Sequence, residues 1–149
     1  MQEYLGVLIA AARRRIKQLV LARVSHADLT PQQFWALIAV REHPGISQAR
    51  IAARVRADAP SVSRSLAALQ ARGLVRTEAD PEDRRRACVF LTAAGKRLVA
   101  QLAPVAAEVR EAVVAGMSPA EIAAVRAGLE RIISNLDRLA GDRDARERA

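Results

Sequence analysis

Ser47 to Gly73 reads SQARIAARVRADAPSVSRSLAALQARG, and the parsing of this stretch decides the fold. Ser47 and Asp58 each precede an apolar-periodic run, where a short oxygen-bearing side chain accepts hydrogen bonds from the unpaired amides of a helix start. Gly73 supplies a stop. The stretch therefore predicts two short helices, QARIAARV and APSVSRSLAALQAR, separated by a few residues around Arg56 and Ala57. That is the spacing of a helix-turn-helix. With Val62 as origin of a helical wheel, Leu66 and Leu69 fall within about 40° of it and form one narrow buried stripe. Pro60, Arg64, Ala67, Ala68 and Ala71 face away, and Ser61 and Ser63 flank them. Small residues and hydroxyls around one arginine let this face lie against a groove floor, which long Glu and Lys chains would obstruct.

Charge supports a polyanionic partner. Between Gly45 and Thr77 the bases are Arg50, Arg54, Arg56, Arg64, Arg72 and Arg76, against the single acid Asp58. Over the 149 residues the net charge is +8, and 12 bases against 6 acids between Arg41 and Ala100 supply most of it. A basic middle segment attracts nucleic acid or another acidic surface.

Downstream of Gly73 the pattern changes. LVRTE and ACVFL are short and rich in β-branched or aromatic residues, and ADPEDRRR lies between them. They predict two strands of a hairpin, with Asp80 and Pro81 shaping its turn. Asp80, Glu82 and Asp83 stand directly before Arg84, Arg85 and Arg86.

The flanks read as helices. Leu5, Leu8, Ala12, Ile16 and Leu19 step by 3 and 4, an amphipathic pattern. Thr30, Pro31 and Gln33 open a second helix with a capping box, which runs through FWALIAVRE and stops at Pro44-Gly45. Thr92 caps a fifth helix carrying Leu98, Leu102, Val105 and Val109. Ser118, Pro119 and Glu121 open a last one, with Ile122, Val125, Leu129, Ile132, Leu136 and Leu139 on one seam. The tail GDRDARERA has no apolar face and is expected to fray.

A lone cysteine, Cys88, and two histidines, His26 and His43, exclude an internal disulfide and argue against a structural zinc site. No phosphate loop, catalytic triad or metal spacing stands out, so catalysis and a cofactor are not expected. The N-terminal apolar run LGVLIAAA precedes its arginines and is short for a span, so neither a signal peptide nor a membrane helix is expected. The reading is a soluble, cytoplasmic chain.

LTPQQFWAL, HPGISQARIA, DAPSVSRSLAALQARGLV and DPEDRRRACVFLTAAG, which together run from Leu29 to Gly95, resemble the MarR family of winged helix-turn-helix regulators. The resemblance implies a mainly α fold with a small β-hairpin wing. It divides the chain into an N-terminal dimerisation helix (1–28), a winged DNA-binding domain (29–95), C-terminal dimerisation helices (96–140) and a frayed tail (141–149). It implies binding to double-stranded DNA, with Pro60, Ser61, Ser63 and Arg64 in the major groove. Arg85 would enter the minor groove at the wing tip, oriented by Asp83, with Arg84 and Arg86 near phosphates. Ser47, Arg54 and Arg72 complete the expected DNA-facing set. Two departures are Arg56, where such proteins often hold glycine, and Pro60 in the first turn of the recognition helix.

The resemblance further implies a homodimer through Leu5, Leu8, Ile16, Ile122, Val125, Leu129, Ile132 and Leu136, on a pseudo-palindromic operator. It also implies a cleft for a small-molecule effector, for which Arg14, Arg15, Trp35 and His43 are candidates; the plainer reading of Trp35 is a core aromatic. Peroxide-sensing relatives carry a cysteine about where Gly6 stands, so that mechanism is not expected. Cys88 reads either as a reactive thiolate near Arg86 or as a packed thiol. Repression of transcription is the expected activity. A winged-helix module that binds an acidic protein partner is the alternative.

Overall fold

The computed structural model describes residues 4–80, 83 and 86–147, of which 141–147 in backbone only. It divides into two compact units, Met1–Glu111 and Ala112–Ala149.

The first unit is built around α2 (Pro31–Glu42). Phe34 and the run Ala36–Val40 are all buried, so the middle of this helix is covered around most of its circumference, as expected of a helix at the centre of a domain. Its start is the capping box read from the sequence: the Gln33 amide donates to Thr30 Oγ1 at 3.2 Å, and the Thr30 amide donates to Gln33 Oε1 at 3.0 Å. Around α2 pack α3 (Gln48–Val55) and α4 (Ala59–Ala71), which contribute Ile51 and then Val62, Leu66 and Leu69 to the core. From α1 (Leu5–Val24), Val20 and Val24 are fully buried, and a short 3-10 turn at Ser25–Ala27 leads on toward α2. Within this unit α5, which runs Ala93–Val114, buries Val99, Leu102, Ala106 and Val109.

The sheet has three strands, one more than the expected hairpin: β1 (Ile46–Ser47), β2 (Val75–Ala79) and β3 (Ala87–Leu91), in the order β1-β3-β2, all antiparallel. Ile46 pairs with Val89 and Ser47 with Cys88, while Val75 to Ala79 pair with Leu91 to Ala87. A two-residue strand leaves no periodicity to read, which is why the sequence does not announce β1.

The junction of sheet and α5 depends on Thr92 and Gly95. Thr92 Oγ1 donates to the Gly73 carbonyl at 2.6 Å and accepts from the Gly95 amide at 3.0 Å, and the Thr92 amide donates to the Leu74 carbonyl at 3.1 Å. A Cβ on Gly95 would stand 1.9 Å from the Leu74 carbonyl oxygen, so only glycine permits this approach.

The second unit contains α6 (Pro119–Glu147), which opens with its own capping box: Ser118 N donates to Glu121 Oε2 at 2.8 Å and Glu121 N to Ser118 Oγ at 3.3 Å. The helix passes Gly141 and reaches Glu147, through most of the stretch expected to fray; alanine, arginine and glutamate are good helix formers. Among the described residues, no helix is long and apolar enough to cross a membrane.

Candidate DNA interface and the adjoining cleft

The α4 face carries the expected functional residues. Asp58 caps the helix, accepting from the Ser61 amide at 2.8 Å. That backbone bond, followed by the Ser61 hydroxyl, holds the Asp58 carboxyl below its ordinary range. Val62, Leu66 and Leu69 are buried with Ser65, whereas Pro60, Ser63 and Arg64 are exposed and Ser61 is half-buried. Arg64 Nη2 donates to Ser61 Oγ at 3.1 Å, so the i, i+3 spacing rests the guanidinium along the first turn. Pro60 lies within that turn, where a helix amide has no intrahelical acceptor to lose.

The other expected contacts have structural partners. Ser47 is 8% exposed, and its hydroxyl accepts from the Arg50 amide at 3.3 Å. Arg72 donates to the Asp28 carbonyl at 2.7 Å and the Ala27 carbonyl at 2.9 Å, tying the end of α4 to the approach to α2. Arg54 donates to Glu42 at 2.9 Å, and Arg110 of α5 donates to the other Glu42 oxygen at 2.7 Å. Partial burial pushes the Glu42 carboxyl up, but the hydrogen bonds and charges of Arg110 and Arg54 outweigh it and leave the group below its usual range.

At the wing, the Asp80 amide donates to the Arg86 carbonyl at 2.9 Å and the Arg86 amide to the Asp83 carbonyl at 2.8 Å, and Asp83 and Arg86 are both exposed. Arg84 and Arg85, together with Pro81 and Glu82, lie outside the described residues, and with them the expected Asp83–Arg85 pairing. Arg76 pairs with Glu78 and places its guanidinium 4.8 Å from the Phe90 ring centroid, a cation–π contact that the sequence reading missed. Cys88 is half-buried on β3.

A cleft of about 720 Å³ opens between α1, α2 and the α3–α4 turn. Of the four candidate effector residues it takes only Trp35; Arg14, Arg15 and His43 are exposed and outside its lining. Arg13 and Lys17 line it instead, with Ile16 between them. Ile16 packs against the core of its own unit, and its i−3 and i+1 neighbours share that side of α1 while Arg14 and Arg15 turn away. Apolar stepping identifies a helical face, but three adjacent arginines give no cue to which one flanks it. Trp35 also borders a smaller cleft of about 280 Å³ with Glu42, Arg54 and Arg110. Its ring meets Phe34 edge-on at 4.8 Å and lies 5.7 Å from the Arg110 guanidinium. The remaining wall includes Arg56, whose backbone is left-handed at φ 50° and ψ 48°.

The expected dimer residues differ in cover. Leu5 and Leu8 on α1 are 65% and 45% exposed, whereas Ile16 is partly buried. On α6, Val125, Leu129 and Leu136 are exposed, and Ile122 and Ile132 are half-buried. Among the described residues, no group of three His, Cys, Asp or Glu side chains could hold a metal ion.

Comparison with known proteins agrees with this arrangement. A model of the MarR family matches residues 27–86. The chain is 36% identical over 100 residues to the transcriptional regulator HosA of Escherichia coli O111:H-, covering 66% of this chain and 74% of the relative. It is 30% identical over 133 residues to the HTH-type transcriptional repressor NicR of Pseudomonas putida, covering 89% and 84%. Among solved structures, BpsR of Bordetella bronchiseptica, whose DNA binding is regulated by 6-hydroxynicotinic acid, superposes with a TM-score of 0.72 at 29% identity, over 87% of this chain and 93% of BpsR. A mutant MarR from E. coli in complex with operator DNA gives a TM-score of 0.70 at 23% identity, over 86% and 92%, a likeness of fold. The chain belongs to the MarR family of winged-helix, DNA-binding transcriptional regulators.

Proposed function

We propose that the protein is a homodimeric repressor that binds a pseudo-palindromic operator and responds to a small-molecule effector. The observation that carries this reading is the exposed face of α4, where Pro60, Ser63 and Arg64 project beside Ser61 without a large side chain to obstruct them. Ser61, Ser63 and Arg64 read base edges in the major groove, with Pro60 against a thymine methyl. Arg54, Arg86 and the wing arginines Arg84 and Arg85 supply phosphate and minor-groove contacts. Arg72, bound to two backbone carbonyls, positions α4. The exposed apolar residues of α1 and α6 form the two-fold interface and set the recognition helices about 34–36 Å apart. The repressor named among the relatives and the effector named for BpsR support the sign of regulation and its control. No step in this activity requires catalysis or a cofactor.

Fluorescence anisotropy against DNA from immediately upstream of the gene, compared with scrambled DNA across a salt series, tests the reading. Specific binding tighter by about 10³-fold or more is expected, with Arg64→Ala weakening it by about 1–3 kcal/mol. Equal, weak and salt-sensitive binding to both DNAs, unaffected by Arg64→Ala, would favour an acidic protein partner instead.

A further inference from the structure

The cleft between α1, α2 and the α3–α4 turn carries more cations than its own acids balance. Arg13, Lys17, Arg56 and Arg64 all line it, and among the described residues Asp58 is its only acid. Asp58 is engaged in the α4 cap and Arg64 with Ser61, whereas the side chains of Arg13, Lys17 and Arg56 make no hydrogen bond or ion pair among the described residues. Gln32 adds an unsatisfied donor to the same wall. Gln32 Nε2 is buried in this lining and has no hydrogen-bond partner, and such a group ordinarily has one.

Arg56 is the informative member. Its left-handed backbone suits glycine and penalises any residue with a Cβ. Its side chain is exposed and contributes no packing to the core, so the fold does not explain why arginine stands there. Strain kept at a residue lining a cleft points to function. The positive charge of Arg56 also comes from a different element than Arg13 and Lys17, so two ends of one ligand can be neutralised separately.

We propose that Arg56 is an effector-specificity residue, and that this cleft takes a planar aromatic ligand carrying two anionic groups. Arg13 and Lys17 hold one group, Arg56 holds the second, and the ring lies against Trp35. The proposal rests on the effector reading above and adds to it the charge class of the ligand.

Trp35 is the single tryptophan of the chain, so its fluorescence reports on the cleft. The test titrates the full-length protein with benzoate and terephthalate, one ring with one and two carboxylates, and measures operator binding on the same samples. Wild type is expected to favour terephthalate by about tenfold or more, the scale of one charge-assisted contact. Arg56→Gly, which suits the local backbone, is expected to bring the two affinities within about twofold. Arg56→Lys keeps most of the preference, and operator binding without ligand is unchanged.

If the terephthalate preference survives Arg56→Gly, the proposal falls and the effector reading stands. If Arg56→Gly instead weakens operator binding and leaves the preference intact, Arg56 is a phosphate contact and the proposal is again overturned. If neither ring perturbs Trp35 in wild type at millimolar concentration, the proposal and the effector reading fall together, while operator binding on the same samples still reports on repression.

Discussion

α2 and α6 are both helices, and they treat their apolar residues in opposite ways. In α2, Phe34 and the run Ala36–Val40 are buried within the first unit. In α6, the apolar seam leaves Val125, Leu129, Leu136 and Leu139 between 39% and 69% exposed. The stricter 3-4 periodicity belongs to the exposed helix. A stripe of this kind records that one side is meant to be covered, whereas continuous apolarity in a short helix records that its own chain covers most of its circumference. On the proposed dimer, the pattern separates residues committed to the monomer fold from residues available to a second chain.

The largest effects should follow that division. Leu37→Ala removes a fully buried side chain and is expected to cost about 2–5 kcal/mol of stability, read from the urea midpoint. Leu136→Ala on α6, where the residue is 60% exposed, should change the stability of a single chain by less than about 0.5 kcal/mol. Its effect should emerge as dissociation at low concentration in sedimentation velocity; an unaltered association constant for Leu136→Ala and Leu129→Ala together would remove α6 from the proposed dimer interface.

Two glycines give the next contrast. Gly95→Ala forces a methyl to within 1.9 Å of the Leu74 carbonyl, and the backbone shift should cost about 3 kcal/mol. Gly128→Ala on α6 meets nothing within 4 Å and should stabilise that helix by up to about 1 kcal/mol. Thermal melts of the two variants should therefore move in opposite directions.

The legible part of this molecule is the part governed by local chemistry. Thr30, Ser47, Asp58 and Ser118 all accept the hydrogen bonds their positions predict, because a cap depends on residues within three positions of it. The buried stripe of α4 follows from 3.6-residue periodicity. What was not legible depends on distant partners. β1 exists only because Val89 and Cys88 come to Ile46 and Ser47. The partners of Glu42 lie 12 and 68 positions away, and nothing local to Arg54 announces its ion pair. Likewise the cleft took Arg13 and Lys17 where Arg14 and Arg15 were expected, because packing of Ile16 fixed the rotation of α1.

Glu42 offers a smaller contrast with the exposed α6 cap. Its folded carboxyl lies below the ordinary value because Arg110 and Arg54 outweigh partial burial. A depressed carboxylate contributes stability that is fully present above its unfolded value of 4.5 and disappears as pH falls through the lower, folded value. Glu42→Gln should lose on the order of 1 kcal/mol at neutral pH, discounted for partial solvation, and the difference from wild type should vanish in acid. Glu121→Gln on α6 tests the same sign: the Ser118 amide, then its hydroxyl, holds that carboxyl low, but as a fully exposed group it should show only the direction. A wild-type minus Glu42→Gln difference that grows below pH 4.5 would invalidate the linkage.

The smallest effect is expected where the first unit carries backbone strain. Its positive-φ residues include Asp28 and Arg56, whereas the second unit places Gly116 in that region at φ 79°. Asp is among the residues that tolerate a left-handed backbone, so Asp28 costs little, but Arg56 has no such help. Left-handed backbone costs a residue with a Cβ about 1–2 kcal/mol. Replacing it with glycine returns most of that while adding about 0.5–1 kcal/mol of unfolded-chain entropy to overcome. The two terms nearly cancel, and Arg56→Gly should be stabilised by about 0.5 kcal/mol. Urea titration at high precision, with Gly116→Ala as the reverse substitution and a loss of about 1 kcal/mol expected, measures both. Destabilisation by Arg56→Gly would mean that the guanidinium supports the turn directly, and the arginine would then need no ligand to explain it.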